Sequence, residues 1–267
     1  MTVVGMMLAV ALSAPGTFSV EQHGTLREAL NTIAQKGGIS LVITGDLSQP
    51  AEVVLKDGTA DEAIDAVATK HNLKVLYDAS HAFGCSYRGK MVGNFGAAEV
   101  FSFHATKFLN ALEGGAVVTN DDDLAEKMRL MRNFGFAGTD RVIYIGTNGK
   151  MSEASAAMGL VNLEHVARFV EINLAHYQHY RERLARVPGV SVYKHNEAER
   201  SNYQYVVVTV DERNARLTRD DLVSVLTAEN VLARRYFFPG VHRMEPYRSY
   251  IPHAGLLLPN TQAACAQ

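Results

Sequence analysis

LKVLYDASHAFGCSYRGKMVGNFGAAEVFSFHATKFLNALEGGAVV, residues 73–118, is the stretch whose reading decides the fold. Leu73 to Tyr77 is a continuous apolar run, the pattern of a strand buried on both faces of a parallel sheet. Asp78 follows it directly, and ligands of open α/β sheets bind outside the carboxyl ends of the strands. An acid in that position also serves as a turn former or helix cap, so alone it decides little. Further strands are expected at Val100–Phe103 and Ala116–Thr119. Between them lies Lys107, in VFSFHATK, followed by Phe108, Leu109 and Ala111 and then by Glu113-Gly114-Gly115. Most lysines are simply solvated. An apolar setting of this kind partly desolvates the amine and favours Schiff-base chemistry.

Towards the amino terminus, Thr59–His71 reads as a helix with Ala63, Ile64, Val67 and Ala68 as its apolar stripe and Asp61 and Glu62 in the first turn. Before it, Phe18–Val54 has the order strand, helix, strand, turn, strand. Leu26, Leu30, Ile33 and Ala34 share one helical face that Gly37 and Gly38 end, and Ile39, Leu41 and Ile43 alternate as in a strand. Gly45-Asp46 and Gln49-Pro50 mark turns, and Val53–Leu55 forms another short strand. Val3–Ala14 is an apolar run followed by Pro15 and Gly16. It admits two readings, a signal-peptide core without the usual basic residues before it, or a buried strand or helix start. It is shorter than the roughly 20 residues a membrane-spanning helix requires.

Towards the carboxyl terminus, Leu124–Phe134 is expected to be a helix capped by Asp121–Asp123, and 135–150 a loop rich in glycine. Helices follow at Ser152–Val161 and Arg168–Val187, then strands at Val190–Tyr193 and Tyr205–Val210 and a helix at Arg219–Glu229. This α+β pattern differs from the preceding half and places the start of a smaller domain near Asn173. Met128, Met131 and Met151 read as core filler. A formal net charge of -2 and a pI near 6.6 give no polyanion-binding character, so nucleic acid is not an expected partner. The two cysteines, Cys85 and Cys265, stand in unrelated settings and support neither a disulfide framework nor a metal site.

The run YDASHAFGCSYRGKMVGNFGAAEVFSFHATKFLNALEGGAVVTNDDDLAEKMRLMRNFGF resembles, nearly throughout, the DegT/DnrJ/EryC1/StrS aminotransferases. TNGKMSEASAAMGLVNL and ENVLARRYFFPGVHRMEPYR match later segments of that family. The resemblance, from about Ala60 to Pro259, implies an α/β fold, the fold type I of pyridoxal-phosphate (PLP) enzymes. An incomplete large domain would span 60–172 and a small α+β domain, itself cut short, 173–267. Carried over by position, Lys107 would hold PLP covalently and shuttle a proton. Asp78 would pair with the pyridinium nitrogen, His81 would lie near the ring, and Ser102 would bond the phosphate. Asn148 would reach the phosphate of a neighbouring subunit, which implies a homodimer with shared sites. The implied reaction is transamination of a nucleotide-linked keto-deoxy sugar with an amino acid as donor. In the related dehydratase branch a histidine replaces the Schiff-base lysine, so Lys107 argues for transamination. Arg234, Arg235, His242 and Arg243 are candidates for a sugar diphosphate, or else an ordinary basic face.

Thr17 to about Val67 resembles instead the short secretin/TonB N-terminal domain, a βαβ-type module of envelope proteins. It stands where the family has the other half of its large domain, with a phosphate-binding turn. The expected division is therefore a leader at 1–16, this module at 17–59, and the two parts above. The alternative function is a catalytically inactive fusion or gene-model fragment with an envelope interaction module at its head. Nucleotide sugars place the protein in the cytoplasm, whereas a signal peptide would place it in the periplasm; no stable membrane insertion is expected.

Overall fold

The structure, a computed structural model, describes residues 17–37, 41, 47–235 and 238–266. The expected leader, most of the expected strand at Ile39–Ile43 and the turn at Gly45-Asp46 lie outside these residues.

Strand β1 (Phe18–Thr25) runs straight into helix α1 (Leu26–Gly37). Thr25 and Glu28 explain the start of the helix. The Glu28 carboxylate accepts from Thr25 N at 2.8 Å while Glu28 N donates to the Thr25 hydroxyl at 3.3 Å, the reciprocal bonds of a capping box. These bonds hold the Glu28 carboxyl below its ordinary range. The next free amides, Leu26 N and Arg27 N, donate to the carbonyls of Gln49 and Leu47 at 2.9 and 3.3 Å. The returning chain is thereby fixed beside the start of α1. Strand β2 (Pro50–Gly58) consequently pairs antiparallel with β1, Pro50 opposite Thr25 and Gly58 opposite Phe18. The first strand, the helix and the last strand fall where expected, the strand expected between them at Ile39–Ile43 lies mostly outside the described residues, and the β1–β2 pair is antiparallel.

Helix α2 (Ala60–Lys70) begins with a second capping box, Thr59 and Glu62. Leu26, Leu30 and Ile33 of α1 share one buried core with Val20, Val53, Ile64, Val67 and Val75, and Leu41, Leu73 and Tyr77 pack against it. The expected limit at residue 59 thus falls between β2 and α2, within one core. Each large aliphatic side chain buried there contributes roughly 1.5–3 kcal/mol.

After α2 the chain supplies a three-stranded sheet in the order β3 (Leu76–Asp78), β6 (Ala98–Ser102), β7 (Gly115–Val118). β3 and β6 are parallel, Asp78 opposite Val100, and β6 and β7 antiparallel. The apolar run from Leu73 joins the ladder only at Leu76, because Leu73 N is spent on the carbonyl of Ala68 at the end of α2, at 2.8 Å. A hairpin of β4 (Ser86–Tyr87) and β5 (Lys90–Met91) leaves this sheet and returns to α2. There the Tyr87 hydroxyl donates to Asp61, and Arg88 reaches Thr59 at 3.0 Å and Glu62 at 3.4 Å.

Helix α3 (Asp122–Arg132) is capped by Asp121, whose carboxylate accepts from Leu124 N at 3.0 Å. α4 (Glu153–Glu164) is capped by Ser152, and α5 spans Val166–Leu184. Met131 on α3 is 37% exposed, so it is not the core filler its residue type suggests. The described residues group into two compact units, one reaching to Phe169 and including Glu197–Asn202, the other made of Val170–Asn196 with Tyr203 onward. In the second unit β8 (Val190–Val192) pairs antiparallel with β9 (Val208–Val210). Helices α6 (Glu212–Ala215), α7 (Arg219–Ala228), α8 (Tyr247–Tyr250), α9 (Ala254–Leu257) and α10 (Pro259–Ala266) follow. Its anchor is Tyr177, buried, whose hydroxyl donates to the carbonyl of Tyr193 at 3.0 Å and accepts from His195 N at 3.2 Å. Among the described residues no helix is long and apolar enough to cross a membrane.

Leu30→Ala and Ile64→Ala should each lower stability by about 2–5 kcal/mol in urea unfolding. Because both line one core, the double substitution should cost measurably less than the two single losses added together. Strict additivity would mean that residues before 59 and α2 have separate cores.

Candidate active site

The parallel ladder fixes two of the expected residues. Asp78 is the last residue of β3 and stands opposite Val100, and Ser102 lies two residues further along β6. Side chains alternate across a strand, so Asp78, Val100 and Ser102 project from the same face and at the same carboxyl edge of the sheet. Glu99 and Phe101 take the opposite face, where both are buried.

Lys107 is placed by the connection between β6 and β7. Phe103 N donates to the carbonyl of Gly114, and Ala111 N to that of Phe103, each at 2.8 Å, which closes the connection into a compact loop. Leu109 and Ala111 are buried beneath it. Asn162 on α4 donates to the carbonyl of Asn110 at 2.8 Å, which ties the helix to this loop. Lys107 N itself bonds the carbonyl of His104 at 2.9 Å. Its side chain, partly buried, extends to His81, and Lys107 Nζ and His81 Nε2 lie 2.9 Å apart.

His81 belongs to the loop after β3. That loop is held by aromatic packing, with Phe83 meeting Phe101 and Phe103 edge-on at centroid distances of 5.5 and 5.9 Å. Asp78 contributes as well, its Oδ1 accepting from Ser80 N at 2.9 Å. Asp78, His81, Ser102 and Lys107 therefore all stand at the carboxyl end of the β3–β6 pair or in the loops leaving it. Asn148 stands elsewhere, exposed in the loop after α3. There it bridges Asn133, and the neighbouring Gly149 N bonds the carbonyl of Arg132 at 2.9 Å. Among the described residues it makes no hydrogen bond to the other four.

Three supporting residues escaped the sequence reading. Glu99 is only 1% exposed, and its carboxylate accepts from Gly93 N at 2.9 Å and from Phe95 N, bracing the connection into β6. Asn162 and Asn202 each bond backbone carbonyls of site loops. Asn162 and Asn202 act on backbone far away in sequence, which no local pattern announces, whereas Glu99 reaches only four and six residues back, to an irregular connection that carries no periodic signal. Among the described residues no group of three or more His, Cys, Asp or Glu is arranged to hold a metal ion.

The donor set fits PLP. A partly buried amine, an acid, an imidazole and a hydroxyl are gathered at one strand edge, each a chemical complement to a different part of that molecule. A lysine beyond one strand and an acid ending its parallel neighbour, on a sheet of this kind, agree with the α/β architecture of fold type I PLP enzymes. The chain belongs to the DegT/DnrJ/EryC1/StrS aminotransferase family, whose model matches residues 59–267. It is 40% identical over 186 residues to a dTDP-4-amino-4,6-dideoxy-D-glucose transaminase of Shigella dysenteriae, covering 70% of this chain and 50% of that one. With a GDP-perosamine synthase of Caulobacter vibrioides the identity is 38% over 184 residues, covering 68% and 49%. The crystal structure of DesI in the presence of its TDP-sugar product superposes with a TM-score of 0.69 at 47% identity, covering 77% of this chain and 52% of that one. The chain thus spans about half the length of the curated relatives it matches. Family and fold class agree with the motifs around Lys107. Residues 17–58 precede the matched segment, and nothing in these relatives supports the expected secretin/TonB likeness.

Glu99→Ala should release both amides it holds. Hydrogen bonds to a charged group contribute about 1.5–3 kcal/mol each, so hydrogen exchange at Gly93 and Phe95 should accelerate by at least tenfold. Unchanged protection at both would show that the carboxylate does not brace this loop.

Proposed function

We propose that the chain carries the lysine-bearing part of a PLP-dependent aminotransferase site for a nucleotide-linked keto-deoxy sugar, with an amino acid as donor. The 2.9 Å approach of Lys107 Nζ to His81 Nε2, at the same sheet edge as Asp78 and Ser102, carries this reading. The sugar-nucleotide names of the relatives support the substrate class. Bound PLP supplies an electron sink for the substrate carbon. Lys107 is the amine that holds the cofactor, and its Nζ moves the proton at the reacting carbon. Asp78 keeps the proton on the ring nitrogen by pairing with it, and His81 orients the lysine and the ring. Ser102 donates its hydroxyl to the phosphate. Asn148, exposed on its own loop, is suited to a neighbouring subunit's phosphate, which makes a homodimer part of the proposal. Residues 60–172 and 173–267 form its large-domain part and small domain. Nucleotide-linked substrates favour the cytoplasm.

A second reading is a chain that holds the cofactor without turning over substrate, or an inert fusion. The bare sheet and helix faces favour it: Val100 and Val117, paired on β6 and β7, are 40% and 48% exposed, and Leu160 and Val161 on α4 are 66% and 53% exposed. Apolar surface of this extent marks a face built to be covered.

Borohydride reduction in the presence of PLP should attach the cofactor to Lys107, read by peptide mapping, and Lys107→Ala should abolish that adduct. Asp78→Asn should leave attachment intact and lower transamination by about 10²-fold or more. Selective attachment without any turnover would favour the second reading. Label scattered over exposed lysines such as Lys127 and Lys150, with no preference for Lys107, would defeat both cofactor-binding readings.

A further inference from the structure

Between β8 and β9 the chain leaves the second unit after Asn196, and its next six residues, Glu197–Asn202, belong to the first unit before the chain returns at Tyr203. This excursion fastens to the loop that follows β3. Arg200 N donates to the Ser86 hydroxyl at 2.7 Å, and Ser86 N donates to the carbonyl of Arg200 at 2.9 Å. The Glu199 carboxylate accepts from the Ser86 hydroxyl at 2.5 Å and from Gly89 N at 3.3 Å. Asn202 closes the strap. It is 4% exposed, and its Nδ2 donates to the carbonyl of His81 at 3.1 Å and to that of Phe83 at 3.0 Å. Its backbone N–H is also bonded to the Cys85 thiol.

A side-chain amide with both hydrogens committed to two carbonyls two residues apart fixes the path of the backbone between them. His81 is the first of these residues and the one whose ring meets Lys107. A loop leaving a strand end is ordinarily the most mobile part of such a sheet, and here the strap removes that freedom at the residue facing the lysine.

From this geometry we infer that Asn202 is a positioning residue for the His81–Lys107 pair, and that the strap Glu197–Asn202 sets how Lys107 is presented. The inference deepens the reading of Lys107 as the cofactor-holding amine and rests on it for its importance. Its test is independent of the cofactor. Asn202 does not touch Lys107; it acts through the backbone of His81. Asn202→Asp keeps the shape of the side chain and removes both donors, setting a carboxylate against two carbonyls.

The experiment measures acylation of Lys107 by acetic anhydride in the full chain without PLP, quantified by peptide mass spectrometry against Lys127 and Lys150 as internal references. His81→Ala should raise the relative rate at Lys107 by threefold or more, because it frees the amine from its bond. Asn202→Asp should raise it in the same direction, and in the His81→Ala background it should add nothing, since both changes remove one contact. Glu199→Gln, which loosens the strap at its rim, should give a smaller rise and serves as the deciding variant where Asn202→Asp does not fold. A merely structural role would change all three lysines alike. The inference is overturned if Lys107 responds to His81→Ala but not to the strap variants, if the effects add, or if His81→Ala leaves Lys107 unchanged. Failure of PLP to attach to Lys107, with the acylation pattern intact, would count against the proposed function alone.

Discussion

Parallel pairing of two short strands, Leu76–Asp78 against Ala98–Ser102, is the constraint on which the site depends. Its register puts Asp78 opposite Val100, so the acid and the Ser102 hydroxyl share a face and an edge. A slip of one residue would send one of them to the opposite face, where Glu99 and Phe101 are buried. That opposite face makes such a slip costly. Glu99 has its carboxylate satisfied there by Gly93 N and Phe95 N, and Phe101 packs on Phe83. A buried carboxylate stripped of its donors is among the more expensive errors a fold can make.

The same sheet is covered unequally. Beneath it and towards the amino terminus, β1, α1, β2 and α2 supply an apolar core that continues to Val75. Val100, Val117 and the Leu160–Val161 side of α4 stay open. The relatives are about twice as long as the stretch they share with this chain. Local rigidity at the site therefore comes mostly from polar ties and aromatic packing: Asn162 to Asn110, Asn202 to His81 and Phe83, and Phe83 between Phe101 and Phe103. Directional bonds hold a loop in place without needing a covered face, and this suits a half-open sheet.

The stitching at the head follows similar logic. Helix α2 opens the segment that matches the family, yet its apolar stripe of Ala63, Ile64, Val67 and Ala68 is buried against residues that precede that segment. Tyr87 and Arg88, from the hairpin beyond β3, bond the first turn of the same helix. α2 thus links the preceding β–α–β element to the sheet that carries Asp78.

The sequence by itself determined helices α1 to α5 and α7, with the Asp121 cap of α3, the strand that ends at Asp78 and the family signature around Lys107. These are local properties: a helix cap acts over three residues, helical stripes over four, and a motif is a string. Tertiary structure alone decided that β2 lies antiparallel to β1, because two carbonyls at residues 47 and 49 meet the first amides of α1. It also decided that Leu73 leaves the ladder, that Met131 lies at the surface, and that Asn148 makes no hydrogen bond to the other candidate residues. The meeting of Lys107 with His81, and the clasp of Asn202 on the His81 loop from 121 residues away, belong to the same class. Hydrogen bonds between groups so distant along the chain depend on how loops close over a sheet, and residue spacing carries no record of that.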